Sequence, residues 1–351
     1  MYPLARIDEY RIPTREEVYV LDIIPFTSGP ATISSDQKLS LFNPLSLKTG
    51  PTVNLVTNHG NITCARAFDA GNSVVCTAGQ NGTISMWDLR QDVRQAGVAQ
   101  FTTEGQVPVL SVACSNTGFS VAAGTELKNH QASIIIWDVR STSTPKLHYK
   151  EVHSDDVTEV WIPPLALLAL ADKSQLNFHP SDHNILLSGS TDGLVNICDT
   201  RITDEDEVII QTFNHDSSIH HAAFLNDTEV YAISHDERLA LYDMAQEYEK
   251  GAATTDFGDM RAVLGCQYIA NVTAKANGAG AVIGAGAHEQ QAFELIHLTK
   301  GDNWALDRAN SVGLPGAHSE EIVRSFCFYD EAQMVFSAGE DGFIKAWRPN
   351  A

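Results

Sequence analysis

Positive charge is scarce in this sequence. Its 351 residues carry 23 Lys plus Arg against 44 Asp plus Glu, a formal net charge of −21. Nucleic acid and anionic membrane are therefore poor direct partners, because a polyanion is bound by neutralising its charges with Lys and Arg. Cysteine is also sparse. Cys64, Cys76, Cys114, Cys198, Cys266 and Cys327 include no CxxC pair, so neither a zinc site nor a disulfide framework is expected, and the thiols read as small buried apolar residues. The first residues, MYPLARIDEYRIP, lack an apolar signal region, which points to an intracellular protein of the nucleus, the cytoplasm or both. At 43% hydrophobic and 19% charged the chain is too polar for a membrane span and ample for a packed core, read as a single domain over residues 1–351.

What the chain does have is a recurring ending. AGQNGTISMWD (Ala78 to Asp88), GSTDGLVNICD (Gly189 to Asp199) and AGEDGFIKAW (Ala338 to Trp347) each join a small strand end, a tight turn and a short alternating run, the pattern of a β-hairpin. Weaker copies lie at Ser35 to Phe42, Ser133 to Asp138, His235 to Asp243 and Ala287 to Leu298. The aromatic or apolar pivots fall at Phe42, Trp87, Trp137, Cys198, Tyr242, Ile296 and Trp347, at spacings of 45, 50, 61, 44, 54 and 51 residues. Seven copies at this period predict an all-β, seven-bladed β-propeller. The last copy leaves only Arg348 to Ala351, so the alternating Leu4 to Ile12 is expected to close the ring as the outer strand of the last blade, which removes an unpaired edge.

The Trp-Asp pairs Trp87-Asp88 and Trp137-Asp138, with His59 lying 28 residues before Trp87, His318 29 before Trp347 and His215 27 before Tyr242, resemble WD-repeat β-propellers along nearly the whole chain. The resemblance implies a buried polar network in which a loop His, a second-strand Ser or Thr, a turn Asp and the Trp indole satisfy one another. Blade seven supplies His318, Ser337, Asp341 and Trp347, blade two His59 and Trp87, and blade four His153, Ser188 and Asp192 with Cys198 in place of Trp. These residues are assigned to architecture. Within the class, HSDDVTE at His153 to Glu159, FHPSDHNILLSGSTDGLVN at Phe178 to Asn196 and SAGEDGFIKAWRP at Ser337 to Pro349 are similar to the WD repeat-containing protein 89 family.

One interval breaks the period, since His153 to Cys198 spans 45 residues. Residues 160–175 read as an insertion in blade four, with Trp161 to Leu170 expected to project as a loop or short helix. Removing these sixteen residues gives VTELNFHP and restores a spacing of 29, and their codons can supply GT, branch-point and AG signals, so a retained intron is the alternative that sequencing the transcript decides.

Enzyme signals are absent from the sequence when sought one by one. Gly278, Gly280, Gly284 and Gly286 lack dinucleotide-binding spacing and precede a strand instead of opening a helix. His215, Asp216, His220 and His221 do not read as a metal site, because His220 and His221 are adjacent on a strand and are expected to point to opposite faces. No catalytic residue and no cofactor are expected.

Charge placement carries the functional reading. In propellers of this type the loops between blades and the turns between second and third strands open on one face. Asp155, Asp156, Asp216, Glu320 and Glu321 fall in the former, and Glu237 and Glu340 beside the latter. This acidic rim is read as the docking site of a basic polypeptide such as a ribosomal protein or a histone, on a monomeric propeller working as a scaffold within a larger complex. The alternative rests on WDLR at Trp87 to Arg90 and WDVR at Trp137 to Arg140, which resemble the boxes by which substrate receptors dock on cullin-4 ubiquitin ligases and would make Arg90 and Arg140 adaptor contacts.

Overall fold

The computed structural model describes residues 1–115, 117–141, 144–161, 182–245, 251–275 and 280–350. Five four-stranded antiparallel sheets follow one another along the chain, over residues 20–56, 62–102, 109–153, 159–214 and 219–259. Residues 268–315 and 323–349 form the sixth and seventh blades, which a shared N-terminal strand joins into one eight-stranded sheet. That strand, Tyr2–Arg11, runs antiparallel to Phe343–Pro349 from Leu4 opposite Pro349 to Arg11 opposite Phe343. It also pairs in parallel with the outer strand of blade six, Tyr2 opposite Val312 and Pro3 opposite Gly313. The ring is therefore closed by the start of the chain, a seven-bladed propeller whose last blade takes its outer strand from the first residues.

Every pivot sits in the third strand of its blade, and six stand directly opposite a second-strand residue: Trp87 faces Val75, Trp137 Val121, Cys198 Leu186, Tyr242 Val230, Ile296 Ile283 and Trp347 Val335, whereas Phe42 faces Pro51 of the outer strand. The core is consequently a series of apolar layers between neighbouring blades, such as Ile197 and Phe213 of blade four against Ala222 and Phe224 of blade five. All six cysteines are free thiols, and burial pushes Cys64 and Cys198 up to about 12, so they pack as apolar groups.

The first strand of blade four is Glu159–Trp161, with Val160 opposite Ser188 and Trp161 opposite Leu187. These two residues, assigned from sequence to the insertion, belong to the blade's own ladder, and Trp161 does not begin a projecting loop. The rest of the inserted segment, 162–175, lies outside the described residues.

The Ala/Gly-rich run of blade six has a packing cause. Gly280–Ala287 is a strand buried along its whole length, and a Cβ at Gly284 would stand 2.3 Å from a ring carbon of Phe326 and 2.8 Å from Phe293. Small residues there admit aromatic rings from both sides.

Candidate interaction surfaces

The polar networks lock the loops that enter the blades. In blade seven the Trp347 indole N–H donates to Ser337 Oγ (2.9 Å), the Ser337 hydroxyl donates to His318 Nε2 (2.8 Å) and His318 Nδ1 donates to Asp341 (2.6 Å). Blade four repeats this with His153, Ser188 (2.9 Å) and Asp192 (3.0 Å). Blade two substitutes threonines, with His59 Nε2 and Nδ1 each 2.8 Å from Thr77 and Thr83, and the Trp87 indole donating to Thr77 at 2.8 Å. In blade five His215 meets the Tyr242 hydroxyl at 2.9 Å. The protonation consequences differ. Burial drives His59 down to about 4. For Asp341, burial opposes ionisation, but the His318 hydrogen bond and Lys345, whose ammonium is 3.1 Å away, hold the carboxyl at about 2.

These locks fix one end of the four blades that carry them. Thr191 N donates to the Asp156 carbonyl and Glu340 N to the Ile322 carbonyl, both at 3.0 Å, so entering loops and second-to-third-strand turns lie together on one face. The seven rim acids are not equivalent there. Asp216, Glu320 and Glu321 are exposed. Asp155 and Asp156 are half-buried, and Asp156 accepts from Leu127 N at 2.6 Å. Glu340 is ion-paired with Arg324. Glu237 is half-buried and accepts from Ile269 N of the next blade at 3.0 Å, and burial raises its pKa.

The first strands surround a central cavity of about 610 Å³. A bulge recurs at the start of the first strand in six blades, between Val20 and Asp22, Ile62 and Cys64, Val109 and Ser111, Ile219 and His221, Ile269 and Asn271, and Val323 and Ser325. A bulge places two consecutive side chains on the same side of a strand. His220 and His221 therefore both line the cavity, with ring centroids 4.4 Å apart and His235 4.9 Å from His220. The expectation that they point to opposite faces is corrected by this bulge.

Deeper in, a polar belt crosses the channel. Ser325 of blade seven donates to Asp22 of blade one (2.7 Å). Arg66 of blade two lies 3.6 Å from Asp22 and 3.4 Å from Glu159 of blade four, and Glu159 is 3.2 Å from His221 of blade five. Glu159 is buried, and the two carboxylates outweigh burial to hold the Arg66 guanidinium above its ordinary value. Carboxylates do converge in this channel, which the sequence did not disclose. Asp22 stands two places into its first strand and Glu159 opens its own, positions the repeat pattern leaves unassigned.

Arg90 and Arg140 follow the third strands, at the opposite end of the blades from the acidic rim. Each folds back on the Asp two residues earlier, Arg90 on Asp88 (2.9 Å) and Arg140 on Asp138 (2.6 Å). Arg201 does the same with Asp199 at 2.7 Å. Their side chains nonetheless stay 52% and 65% exposed at Arg90 and Arg140.

The WD40 repeat family (WD domain, G-beta repeat) matches residues 50–88 and 311–348. Each match begins in the outer strand of one blade and ends with the third strand of the next. A WD repeat-containing protein of Saccharomyces cerevisiae is 32% identical over 80% of this chain, and the chain spans 65% of that protein's length. One of Schizosaccharomyces pombe is 28% identical over 96% of this chain and 97% of its own. The WD repeat-containing protein 89 homolog of Dictyostelium discoideum is 22% identical over 71% of this chain and 60% of its own. Among solved structures, a chain in the crystal structure of a mitotic checkpoint complex superposes with a TM-score of 0.69 at 15% identity, covering 98% of this chain and 91% of that one.

Proposed function

Because the chain is a WD-repeat β-propeller, a kind of protein that generally serves as a protein-interaction scaffold and is typically non-catalytic, we propose that it is a scaffold whose acidic face docks a basic polypeptide, with a ribosomal protein or a histone as the model partner. The observation that carries this is the state of three carboxylates. Asp216, Glu320 and Glu321 are exposed on the face the entering loops define and make no ion pair among the described residues. Exposed, uncompensated charge of one sign accelerates encounter with a partner of the other sign and weakens with salt. Asp155 also accepts a backbone hydrogen bond, from Asp156 N at 2.8 Å, as Asp156 and Glu237 do from Leu127 N and Ile269 N, and among the described residues Glu340 is the one rim acid that is ion-paired.

No catalytic step is assigned to the chain. No helix among the described residues is long and apolar enough to cross a membrane, and the reading places the protein inside the cell, in the nucleus, the cytoplasm or both. The test is affinity purification of the tagged protein from its own cells at low and moderate salt, alongside the variant Asp216→Lys, Glu320→Lys, Glu321→Lys. A basic protein recovered near stoichiometry, lost at moderate salt and lost with the variant, is the expected result. Unchanged recovery with the variant sinks the reading.

A second reading has one observation in its favour, the repetition of half-exposed Arg90 and Arg140 at the same place in consecutive blades. As adaptor contacts of a cullin-4 ligase receptor they would have to leave Asp88 and Asp138. Co-purification of the adaptor with the wild type and its loss with Arg90→Ala and Arg140→Ala together would favour that reading, and absence of the adaptor from wild-type complexes would end it.

A further inference from the structure

The blades differ in what fills the gap under the entering loop. In blades two, four, five and seven a buried imidazole does so: His59, His153, His215 and His318 are each at most 4% exposed. The loops entering blades one and six bury Val18 and Leu264 instead. The loop entering blade three has no imidazole, and its Glu104, Gly105 and Gln106 are exposed between buried Thr103 and half-buried Val107.

The ladder registers locate the place this leaves open. Ile84 pairs with Ala78 in blade two as Ile134 pairs with Gly124 in blade three, so Ser133 stands where Thr83 holds His59. There the Ser133 hydroxyl meets His148 of the outer strand at 3.1 Å, while Ser133 N donates to Thr125 Oγ1 at 2.9 Å. Around it lies a slot of about 280 Å³ lined by Thr103, Lys128, Gln131, Ser133, His148 and Lys150, with Glu104 at its exposed rim. The slot presents two lysines, and the carboxylates of Glu104 and Glu205 stand close enough to act on His148 as Lys150 does. Lys128 donates one hydrogen to the Gly105 carbonyl (3.1 Å), leaving two. Lys150 makes no ion pair among the described residues through its ammonium group, and the nearby Glu205 carboxylate is bonded to the backbone N–H groups of Lys150 and Glu151 at 2.9 and 2.8 Å.

We propose that this slot is a binding site for an oxyanion carried on a polypeptide, a phosphoryl or carboxylate group that reaches Lys128 and Lys150 and takes the room an imidazole occupies in the sister blades. Two ammonium groups with free hydrogens, and the one hydrogen the bonded Ser133–His148 pair leaves over, supply the donors such a group needs. The proposal does not rest on the acidic-face reading, which concerns other residues and the opposite charge.

The test is NMR titration of the full chain at low salt with capped phosphoserine and, separately, capped glutamate. Saturable shifts centred on Gln131, Ser133 and His148 are expected with at least one probe. Preference for the first identifies a phosphoryl group, and binding of the second alone a carboxylate. Lys128→Gln with Lys150→Gln should raise the dissociation constant at least tenfold, while Lys146→Gln, an exposed lysine outside the slot, should leave it unchanged. Absence of saturable binding by either probe overturns the proposal. So does wild-type affinity in the double variant, or an equal loss with Lys146→Gln.

Discussion

Blades six and seven share one continuous sheet yet are held together by opposite means. Blade seven is secured from within, since Trp347, Ser337, His318 and Asp341 satisfy one another inside a single blade. Among the described residues blade six has no such relay, and it is secured by its neighbours. Phe326 of blade seven packs over Gly284 and meets Phe293 edge-on with centroids 5.9 Å apart. On the other side Glu229 of blade five accepts from the Trp304 indole and from Lys300, both at 2.7 Å, and the Tyr231 hydroxyl donates to the Val272 carbonyl at 2.9 Å. A degenerate repeat is thus tolerated where adjacent blades replace a local polar network with packing and cross-blade bonds. The cost of losing the WD signature is dependence on both neighbours.

The comparison can be broken most severely at the strand the two blades share. Deleting residues 1–12 strips blade seven of its outer strand and blade six of its parallel partner together. It should lower the thermal midpoint more than any single substitution. Next in size, Gly284→Leu forces a side chain into the Phe326 ring and should cost about 3 kcal/mol. Because the clash crosses the blade boundary, hydrogen exchange should quicken in residues 323–329 as well as in blade six. Ser337→Ala removes the centre of the blade-seven relay and should cost about 2 kcal/mol, with faster exchange confined to that blade. Equal spread of the exchange changes in the two variants would refute the distinction.

A further effect is in pH. His59, held low by burial, resists protonation in the folded state, so its contribution is present above its ordinary value and is lost as pH falls from about 6.5 to about 4. Asp341 stays ionised in the fold, and its contribution is lost only as pH falls from about 4 to about 2. Chemical denaturation at successive pH values should show His59→Gln flattening the upper part of the acid decline and Asp341→Asn the lower part.

The number of blades, the place of each pivot and the closing strand were all legible in the sequence, because hairpin turns and alternation are local and the repeat multiplies them. The channel was not. Arg66 and Glu159 are far apart in the chain and in non-adjacent blades, so no periodic template relates them. The bulge that turns both His220 and His221 inward breaks the very alternation from which their directions were inferred. Blade three's slot was hidden for a different reason. A missing histidine is visible in the sequence only as a weak repeat, and whether the gap closes or stays open depends on the turn bearing Lys128 and the strand bearing His148. The rim acids were found by position, but their division into exposed and committed groups follows from backbone amides such as Leu127 N and Ile269 N, which the sequence does not localise.

The pairing of Leu4 with Pro349 also has a consequence in time. On a ribosome Tyr2–Arg11 emerges ahead of the other strands of the propeller and its ladder partner Phe343–Pro349 after them, so the circle cannot be completed until that partner has been released. Through that interval Tyr2–Arg11 waits as an unpaired strand, the form most open to pairing with another chain. Its own composition guards it, because Arg6, Asp8, Glu9 and Arg11 interrupt the apolar residues with charge of both signs.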